Sequence, residues 1–324
     1  MSDRPPLTGT LSAAAIRGLR PPKPAVDPWR AHGSIDEVER LPDGASHFCR
    51  TVFLAGAECP FTCVFCDLWR FTTDEATPPG ALPKQLESAL GDGAVGIDCL
   101  KLYNASNFFE PRAVPPEDLP AIARLTAGRS RVVVECHPRL VDQRCLDFAD
   151  LLDGRLELAL GLETAHPGAL ARLNKGMVLE DFDRACNFAR RHGLGLRAFV
   201  LLGTPYVPPA EAQAWVERSV RHAIDQGVEH IALIPLRLGN GALESLADSG
   251  EFKPVSGSEI ERTFARSLSL AADRAVVSLD LWDIERHLES TPCCAAERLQ
   301  RLGEMNGSGT PQPTTPCPAC RDRA

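Results

Sequence analysis

Residues 51–66 read TVFLAGAECPFTCVFC, an apolar run followed by the three cysteines Cys59, Cys63 and Cys66. The run Thr51–Gly56 predicts a buried β-strand, so these cysteines lie in the loop that follows it. Three thiolates in a CxxxCxxC array can bind three irons of a [4Fe–4S] cluster and leave the fourth iron open to a small chelating molecule. We therefore expect a cluster that takes part in chemistry rather than one that only stores electrons.

The spacing of these cysteines suits other uses of cysteine less well. A zinc site would need a fourth nearby ligand, and CxxxCxxC differs from the two-plus-two spacing of zinc knuckles. Disulfides are typical of short secreted chains, whereas this chain has 324 residues and its N-terminal sequence contains no apolar segment of signal-peptide length. Twelve cysteines without a secretion signal indicate a reducing environment, so we expect a cytoplasmic protein.

The composition predicts a globular protein without a membrane span. Hydrophobic residues make up 44% of the chain, which is enough for a sizeable core. No window of the sequence approaches the roughly 18 continuous apolar residues of a transmembrane helix. The formal net charge is −8, so the protein as a whole does not attract phosphate backbones, and contact with nucleic acid would need a local basic patch.

From about residue 50 onward, short aliphatic runs alternate with helical patterns. Such alternation predicts parallel strands joined by crossover helices. The predicted strands are Thr51–Gly56, Ile97–Tyr103, Arg131–Glu135, Leu156–Leu162, Leu194–Leu202 and His230–Pro235. Six strand–helix pairs predict an α/β fold, a partial (β/α)6 barrel whose chemistry collects at the C-terminal ends of the strands.

The rest of the chain divides around this barrel. Residues 1–48 are rich in proline and are expected to form an N-terminal arm rather than a packed domain. The core barrel is expected at residues 49–240 and an extension of helices and strands at residues 241–290. A cysteine-rich tail follows at residues 291–324.

Polar segments follow the predicted strands: NASN at residues 104–107, GLET at 161–164 and LNKG at 173–176. Together with the CxxxCxxC array and the aromatic Phe65 before its last cysteine, they resemble the radical S-adenosylmethionine (SAM) superfamily. The likeness is to the branch that contains the Elongator catalytic subunit and the radical SAM subunit of archaeosine synthase, and it spans roughly residues 50–255. It implies an enzyme that binds SAM at the open iron of its cluster.

The resemblance implies roles for individual residues of this sequence. The three loop cysteines would bind the cluster, and Phe65 would pack near the adenine of SAM. Further contacts with SAM are implied for its amine at Ser106 and Asn107, for its ribose or amine at Glu135 and Glu163, and for its carboxylate at Arg197. One departure is that the family's Gly-Gly-Glu, or the Ser-Gly-Ser of the nearer branch, reads Ala105-Ser106-Asn107 here. A side chain therefore stands where the backbone would approach SAM.

Several of these residues also have a structural interpretation. The carboxylates of Glu135 and Glu163 would suit ion pairs with Arg139 and Arg172 at the ends of buried strands. His137, which precedes a proline, is more typical of a hydrogen-bonded structural histidine than of a proton donor. Four other cysteines have no partner at ligand spacing and are expected to be small buried residues: Cys49, Cys99, Cys136 and Cys145.

A second group of cysteines lies near the end of the chain. It comprises the adjacent Cys293 and Cys294, and Cys317 and Cys320 in a CxxC pair. Four thiols separated by a Gly/Pro-rich spacer are typical of a zinc site or of a second Fe–S cluster, and the spacing does not separate the two. The side chains of adjacent cysteines diverge, so the alternative is a disordered tail with incidental thiols.

The sequence therefore predicts a radical SAM enzyme that cleaves SAM reductively and takes hydrogen from a substrate. Its partners would be a reducing electron donor of the flavodoxin or ferredoxin kind and either a tRNA nucleoside, a small metabolite or a peptide. The resemblance points to tRNA, whereas the acidic net charge favours a small molecule or peptide. A non-catalytic Fe–S or zinc scaffold is the alternative, and the polar residues at several strand ends argue against it.

Overall fold

The computed structural model describes residues 9–91, 96–289, 292–313 and 317. Among these residues, eight β-strands form one sheet whose order follows the chain, and the sheet curves into a nearly closed barrel. The strands are β1 (Gly33–Arg40), β2 (Ser46–Phe53), β3 (Cys99–Tyr103), β4 (Arg131–Cys136), β5 (Arg155–Glu163), β6 (Gly195–Leu202), β7 (His230–Pro235) and β8 (Val276–Leu279). β1 and β2 are antiparallel, and every later neighbouring pair is parallel.

Helices connect the parallel strands and surround the sheet. They are α1 (Ala13–Leu19), α2 (Ala81–Leu90), α3 (Leu119–Leu125), α4 (Gln143–Ala149), α5 (Pro167–Arg172), α6 (Leu179–Arg191), α7 (Ala212–Asp225), α8 (Ala242–Asp248), α9 (Gly257–Ala271), α10 (Glu285–Leu288) and α11 (Ala295–Ser308). The predicted α/β barrel is confirmed, and β2 to β7 correspond to the six predicted strands. None of the described helices has the length and hydrophobicity of a transmembrane segment.

Two strands of the sheet, β1 and β8, were not predicted from the sequence. β1 reads GSIDEVER and most of its side chains are exposed, so it lacks the aliphatic run that marks the other strands. Its charges find partners across the sheet, since Lys101 of β3 donates to Glu37 (2.5 Å) and Glu39 (3.2 Å). β8 is only four residues long. Short or charged edge strands are common in sheets and are poorly marked in sequence.

Helix α6 shows why the crossover helices could be predicted. Glu180 and Asp181 lie in its first turn, where acidic side chains interact favourably with the helix dipole. Its buried side chains recur at helical spacing and face the sheet: Phe182, Ala185, Cys186 and Ala189. Near the start of α9, Ser258 and Glu261 have the spacing of a capping box, but the structure uses a different serine and glutamate. Ser256 and Glu259 form that capping box, and Glu261 instead lies buried on the helix.

Helix α11 covers the open side of the barrel. The sheet ends at β1 and β8, and α11 contacts both of these strands as well as α9. Asn306 forms hydrogen bonds with the edge of β8 through both polar atoms of its side chain. Oδ1 accepts from the Leu279 N–H (2.8 Å), and Nδ2 donates to the Leu279 carbonyl oxygen (2.9 Å). Leu302 and Met305 of α11 are buried. The C-terminal helix therefore completes the wall that the strands leave open.

The N-terminal segment lies against the C-terminal edge of the sheet. Leu11 and Ile16 belong to the hydrophobic core, and Arg20 donates to Glu58 (2.7 Å) in the loop after β2. Within the predicted arm of residues 1–48, residues 33–40 form β1 and residues 46–48 begin β2. The predicted division into arm, barrel, extension and tail stays a prediction.

Candidate functional site

The cysteine loop (residues 59–66) follows β2 and lies at the C-terminal edge of the sheet. Side-chain amides that follow two other strands hold its backbone. Asn174, after β5, donates from Nδ2 to the carbonyl oxygen of Thr62 (2.8 Å), and Asn240, after β7, donates to that of Val64 (2.9 Å). Asn240 is only 3% exposed, so its bond forms away from solvent. These amides fix a loop whose backbone has few strand partners of its own.

The sulfur atoms of Cys59, Cys63 and Cys66 are partly covered. Burial raises the pKa of Cys63 to about 12 and also raises that of Cys59 and Cys66, while the charge of Lys175 partly offsets the effect on Cys63. Asn107 donates from Nδ2 to Cys59 Sγ (3.0 Å). Among the described residues, these three sulfurs do not form a group within 4.8 Å of one another, as ligands of a single ion would. Their spread suits a cluster, on which each thiolate binds a different iron.

Glu163 ends β5 and forms a buried ion pair with Lys175 (Oε1–Nζ 2.8 Å). It has a φ of +64° and lies in a β-bulge. A Cβ on Gly161 would come within 2.1 Å of the Glu163 carboxylate and 2.5 Å of the Lys175 ammonium, so any larger residue at this position would displace the ends of these two side chains. Strain of this kind is found mainly at functional sites. Arg172, the alternative partner, pairs with Glu251 instead (3.0 Å).

The turn after β3 contains polar atoms without partners. Both side-chain atoms of Asn104 and the hydroxyl of Ser106 are buried without a hydrogen bond in the structure. Between them, Ala105 has a φ of +54°, so alanine takes the left-handed conformation that glycine adopts without strain. The backbone N–H of Asn104 donates to Glu135 (3.2 Å), whose pKa burial raises to about 7. Unpaired buried polar groups are costly, so this turn suits a bound polar ligand.

His137 is a structural residue beside the cysteine loop. Its ring stacks on Phe61, with centroids 3.8 Å apart and 14° between the planes. Nε2 donates to the carbonyl oxygen of Lys175 (3.0 Å), and Nδ1 accepts from the Arg139 N–H (3.2 Å). Burial lowers the pKa of His137 to about 3, so the ring is neutral. The Arg139 guanidinium donates to the carbonyl oxygen of Gly176 (2.9 Å) and not to Glu135, the carboxylate of β4 that the sequence suggested as its partner.

The structure also shows what the other two predicted SAM contacts touch. Phe65 packs against the main hydrophobic core. Arg197, which is 2% exposed, donates from Nε to Glu157 (2.7 Å) and from a terminal nitrogen to Glu39 (2.8 Å). Burial lowers the pKa of the neighbouring His230 to about 3. The carboxylate of SAM would have to compete with two protein carboxylates for Arg197, and this contact stays a prediction.

The tail cysteines lie together at the start of α11. The sulfur atoms of Cys293, Cys294 and Cys317, here called the tail cluster, all lie within 4.8 Å of one another. Cys320, the fourth predicted ligand, lies outside the described residues. The other cysteines behave as the sequence predicted, since Cys49, Cys99, Cys136 and Cys145 are buried.

Two known proteins are similar to this chain in sequence over about 200 residues. No family model matches the chain. Archaeosine synthase subunit beta of Methanosarcina acetivorans is 28% identical over 205 residues, which cover 58% of this chain and 58% of that protein. Protein YhcC of Escherichia coli K12 is 28% identical over 204 residues, which cover 61% of this chain and 63% of that protein. The chain thus spans about three fifths of the length of these relatives.

The solved structure of methylornithine synthase has the same fold. Its TM-score is 0.52 at 16% sequence identity, and the match covers 84% of this chain and 77% of that one. At this level of sequence identity the likeness shows a common fold. The resemblance to the radical SAM superfamily that the sequence suggested is confirmed by these comparisons.

Proposed function

We propose that this chain is a radical SAM enzyme in which Cys59, Cys63 and Cys66 hold a [4Fe–4S] cluster. The observation that carries the proposal is the cysteine loop, which presents three spread thiols at the C-terminal edge of a parallel barrel. Parallel barrels bind their ligands at this edge. The fold shared with radical SAM enzymes supports the same conclusion. When bound, the cluster supplies the electron that cleaves SAM into methionine and a 5′-deoxyadenosyl radical, which takes hydrogen from the substrate.

SAM would lie between the cysteine loop and the turn after β3. Ser106 and Asn104 have buried polar atoms in need of partners, and Glu135 follows on the neighbouring strand. A hydroxyl, an amide and a carboxyl group are suited to the amine and ribose of SAM, whose polar atoms both donate and accept. Phe65 offers an apolar surface for the adenine. Asn107 holds Cys59, so its amide orients a cluster ligand in addition to, or instead of, contacting SAM.

For the substrate we propose a nucleoside of tRNA. One relative is named as a subunit of archaeosine synthase. At the strand ends, Trp282 is 57% exposed after β8, and its ring lies 6.2 Å from that of Phe53 at the end of β2. Phe71, after the cysteine loop, is 44% exposed. Exposed aromatic rings at a site mouth can stack on an unpaired base.

A small metabolite or a peptide is the second candidate, and the net charge of −8 favours it. An acidic protein repels phosphate backbones unless basic residues collect locally. Arg237 and Arg286 bond the carbonyl oxygens of Trp282 and Leu238 beside the exposed aromatic ring, but each also pairs with an aspartate, Asp280 (3.9 Å) and Asp283 (3.6 Å) respectively. An electron donor of the flavodoxin or ferredoxin kind would serve either substrate.

Anaerobically reconstituted protein tests the proposal. After reduction with dithionite it should convert SAM to 5′-deoxyadenosine and methionine, and failure to do so with a fully loaded cluster would contradict the proposal. Comparison of tRNA nucleosides and metabolites between a deletion strain and its parent then separates the two substrate classes. Complementation with Trp282→Ala should fail to restore a modified nucleoside. Trp29→Ala, which alters an exposed tryptophan of the N-terminal segment, should restore it.

A further inference from the structure

We propose that the tail cluster is a mononuclear metal site of the zinc class, and that it fastens α11 across the open side of the barrel. The site is separate from the cysteine loop and needs no SAM. Three observations point to a metal: the distances between the three sulfur atoms, the charges around them and the path of the chain.

The distances between the sulfur atoms match ligands of a single ion. All three lie within 4.8 Å of one another, and Cys293 Sγ is 3.6 Å from Cys317 Sγ. Thiolates bound to one tetrahedral zinc at about 2.3 Å would be about 3.8 Å apart. A disulfide would require a bond of about 2.05 Å. An Fe–S cube would spread the sulfurs further, because each thiolate would bind a different iron.

The surroundings of Cys294 are suited to a metal-bound sulfur. Cys294 is 8% exposed and is the N-cap residue of α11, where the helix dipole stabilises negative charge. Arg298, one turn later, donates from Nε to Cys294 Sγ (3.2 Å). The same guanidinium pairs with the buried Glu261 of α9, which also lies 3.1 Å from Arg301. A donor fixed in this way orients a sulfur ligand and compensates the charge of a thiolate-rich metal site.

The chain returns to the start of α11 to bring Cys317 into place. α11 has 14 residues and is therefore about 21 Å long. Gly309 ends the helix in the left-handed conformation, with a φ of +66°. Pro313 then lies beside the helix, since Arg301 donates to its carbonyl oxygen (3.4 Å). A polar segment of this composition gains little from burial, so metal binding would supply the free energy that holds it there.

The sequence predicts Cys320 as a further ligand, since it lies three residues after Cys317 at the spacing of paired zinc ligands. Cys320 lies outside the described residues, and the proposed site rests on the three sulfur atoms that the structure describes. Its proposed role is structural, because these sulfur atoms lie beside the start of the helix that covers the open side of the barrel.

Metal analysis of the Cys59/Cys63/Cys66→Ala variant isolates this site, because that variant lacks the main cluster. We expect about one zinc and no iron or sulfide per chain. Adding Cys317→Ser should lower the zinc to below about a tenth of an equivalent. Cys186→Ala is the matched control, since it removes a buried cysteine of α6 that contributes to neither group, and the zinc should remain.

Hydrogen exchange tests the same proposal on unaltered protein, so it does not depend on whether a variant folds. In otherwise unaltered protein, removal of the metal by a chelator should speed exchange in residues 295–308 at least about tenfold, as expected when a metal that binds only the folded state is lost. Added Co²⁺ should then restore slow exchange and give the spectrum of a tetrahedral thiolate site. Iron with sulfide in the triple variant, or a Cys293–Cys317 disulfide in anaerobic protein, would overturn the proposal. Metal-free protein with unchanged exchange would do the same.

Discussion

The cysteine loop and the tail cluster each present three cysteine sulfur atoms, but the two groups are held in place by different contacts. Asparagine side chains after three different strands hold the cysteine loop, and a buried ion pair lies beside it. The tail cluster lies at one end of a single helix, on a segment rich in glycine, proline and polar residues. The first group is therefore organised by the fold before any metal binds. The second depends on its metal for much of its own order.

The two groups also differ in the hydrogen-bonding atoms that their surroundings leave available for a ligand. Around the cysteine loop, unpaired polar atoms of Asn104 and Ser106 remain for a ligand. Around the tail cluster, Arg298 already bonds a sulfur and a carboxylate. A preformed site with unmet hydrogen bonds suits a reaction centre, whereas a sulfur that accepts from a guanidinium fixed by an ion pair suits a structural metal.

The largest effect is expected from the buried ion pair beside the cysteine loop. Glu163→Gln leaves the Lys175 ammonium buried without its counter-charge, so the free energy of unfolding should fall by about 3 kcal/mol. Urea denaturation would measure this. Glu251→Gln is the matched control, because its pair with Arg172 is about one third exposed and should be worth less than about 1 kcal/mol.

The same variant tests whether Glu163 also binds SAM. We expect calorimetric SAM affinity to fall by about 1–3 kcal/mol, the usual cost of a lost charge-assisted hydrogen bond. In the double variant with Lys175→Met, stability should recover while SAM affinity stays low. Recovery of both would assign Glu163 to structure alone.

A smaller effect is expected from the pH dependence of Glu135. Burial raises its pKa from 4.5 to about 7, so the folded state holds the proton more tightly than the unfolded chain. The free energy of unfolding of SAM-free protein should therefore fall as the pH rises through this range. Glu135→Gln should remove on the order of 2 kcal/mol of that change. Glu117→Gln, which changes an exposed carboxylate, is the control and should leave the dependence of the unfolding free energy on pH as it is. The same pH dependence in Glu135→Gln as in the unaltered protein would refute its assignment to Glu135.

The smallest effect concerns the hydrogen bond from Asn107 to Cys59. A donor to a cluster-bound sulfur stabilises the reduced, more negative state, so Asn107→Ala should lower the midpoint potential by about 20–60 mV. Asn174→Ala is the control, because that amide bonds the loop backbone and not a sulfur. A redox titration followed by electron paramagnetic resonance would measure both, and equal potentials in the two variants would rule out a specific role for Asn107.

The sequence was sufficient for the features that depend on local pattern. The aliphatic runs of β2 to β7 and the spacing of the cysteine loop are continuous in the chain, so they could be recognised without knowing the fold. The asparagines Asn174 and Asn240 were missed because loop asparagines are common and only the fold shows what they bond. Lys175 is a partner that could have been found, since it follows Glu163 within one strand–helix unit.

Features that join distant segments were harder to predict. The resemblance to the radical SAM superfamily implied a contact between Arg197 and SAM, and it gave no sign of the carboxylate partners Glu39 and Glu157, which come from two other strands. Glu39 belongs to β1, which was not recognised as a strand because the sequence around it is rich in proline. α11 shows the same limit, since neither its place beside β8 nor the return of Cys317 follows from local pattern.

SAM cleavage in variants of the two cysteine groups tests most directly whether the cysteine loop holds the catalytic cluster. Protein with Cys59, Cys63 and Cys66 replaced by Ala and protein with the tail cluster replaced by Ser would be reconstituted anaerobically and reduced with dithionite. The first variant should form no 5′-deoxyadenosine, because it cannot hold the cluster. The second should still form it, because the barrel holds the cysteine loop without the tail. SAM cleavage by the first variant would contradict the assignment of the cluster to the cysteine loop. Loss of SAM cleavage in only the second variant would contradict it as well.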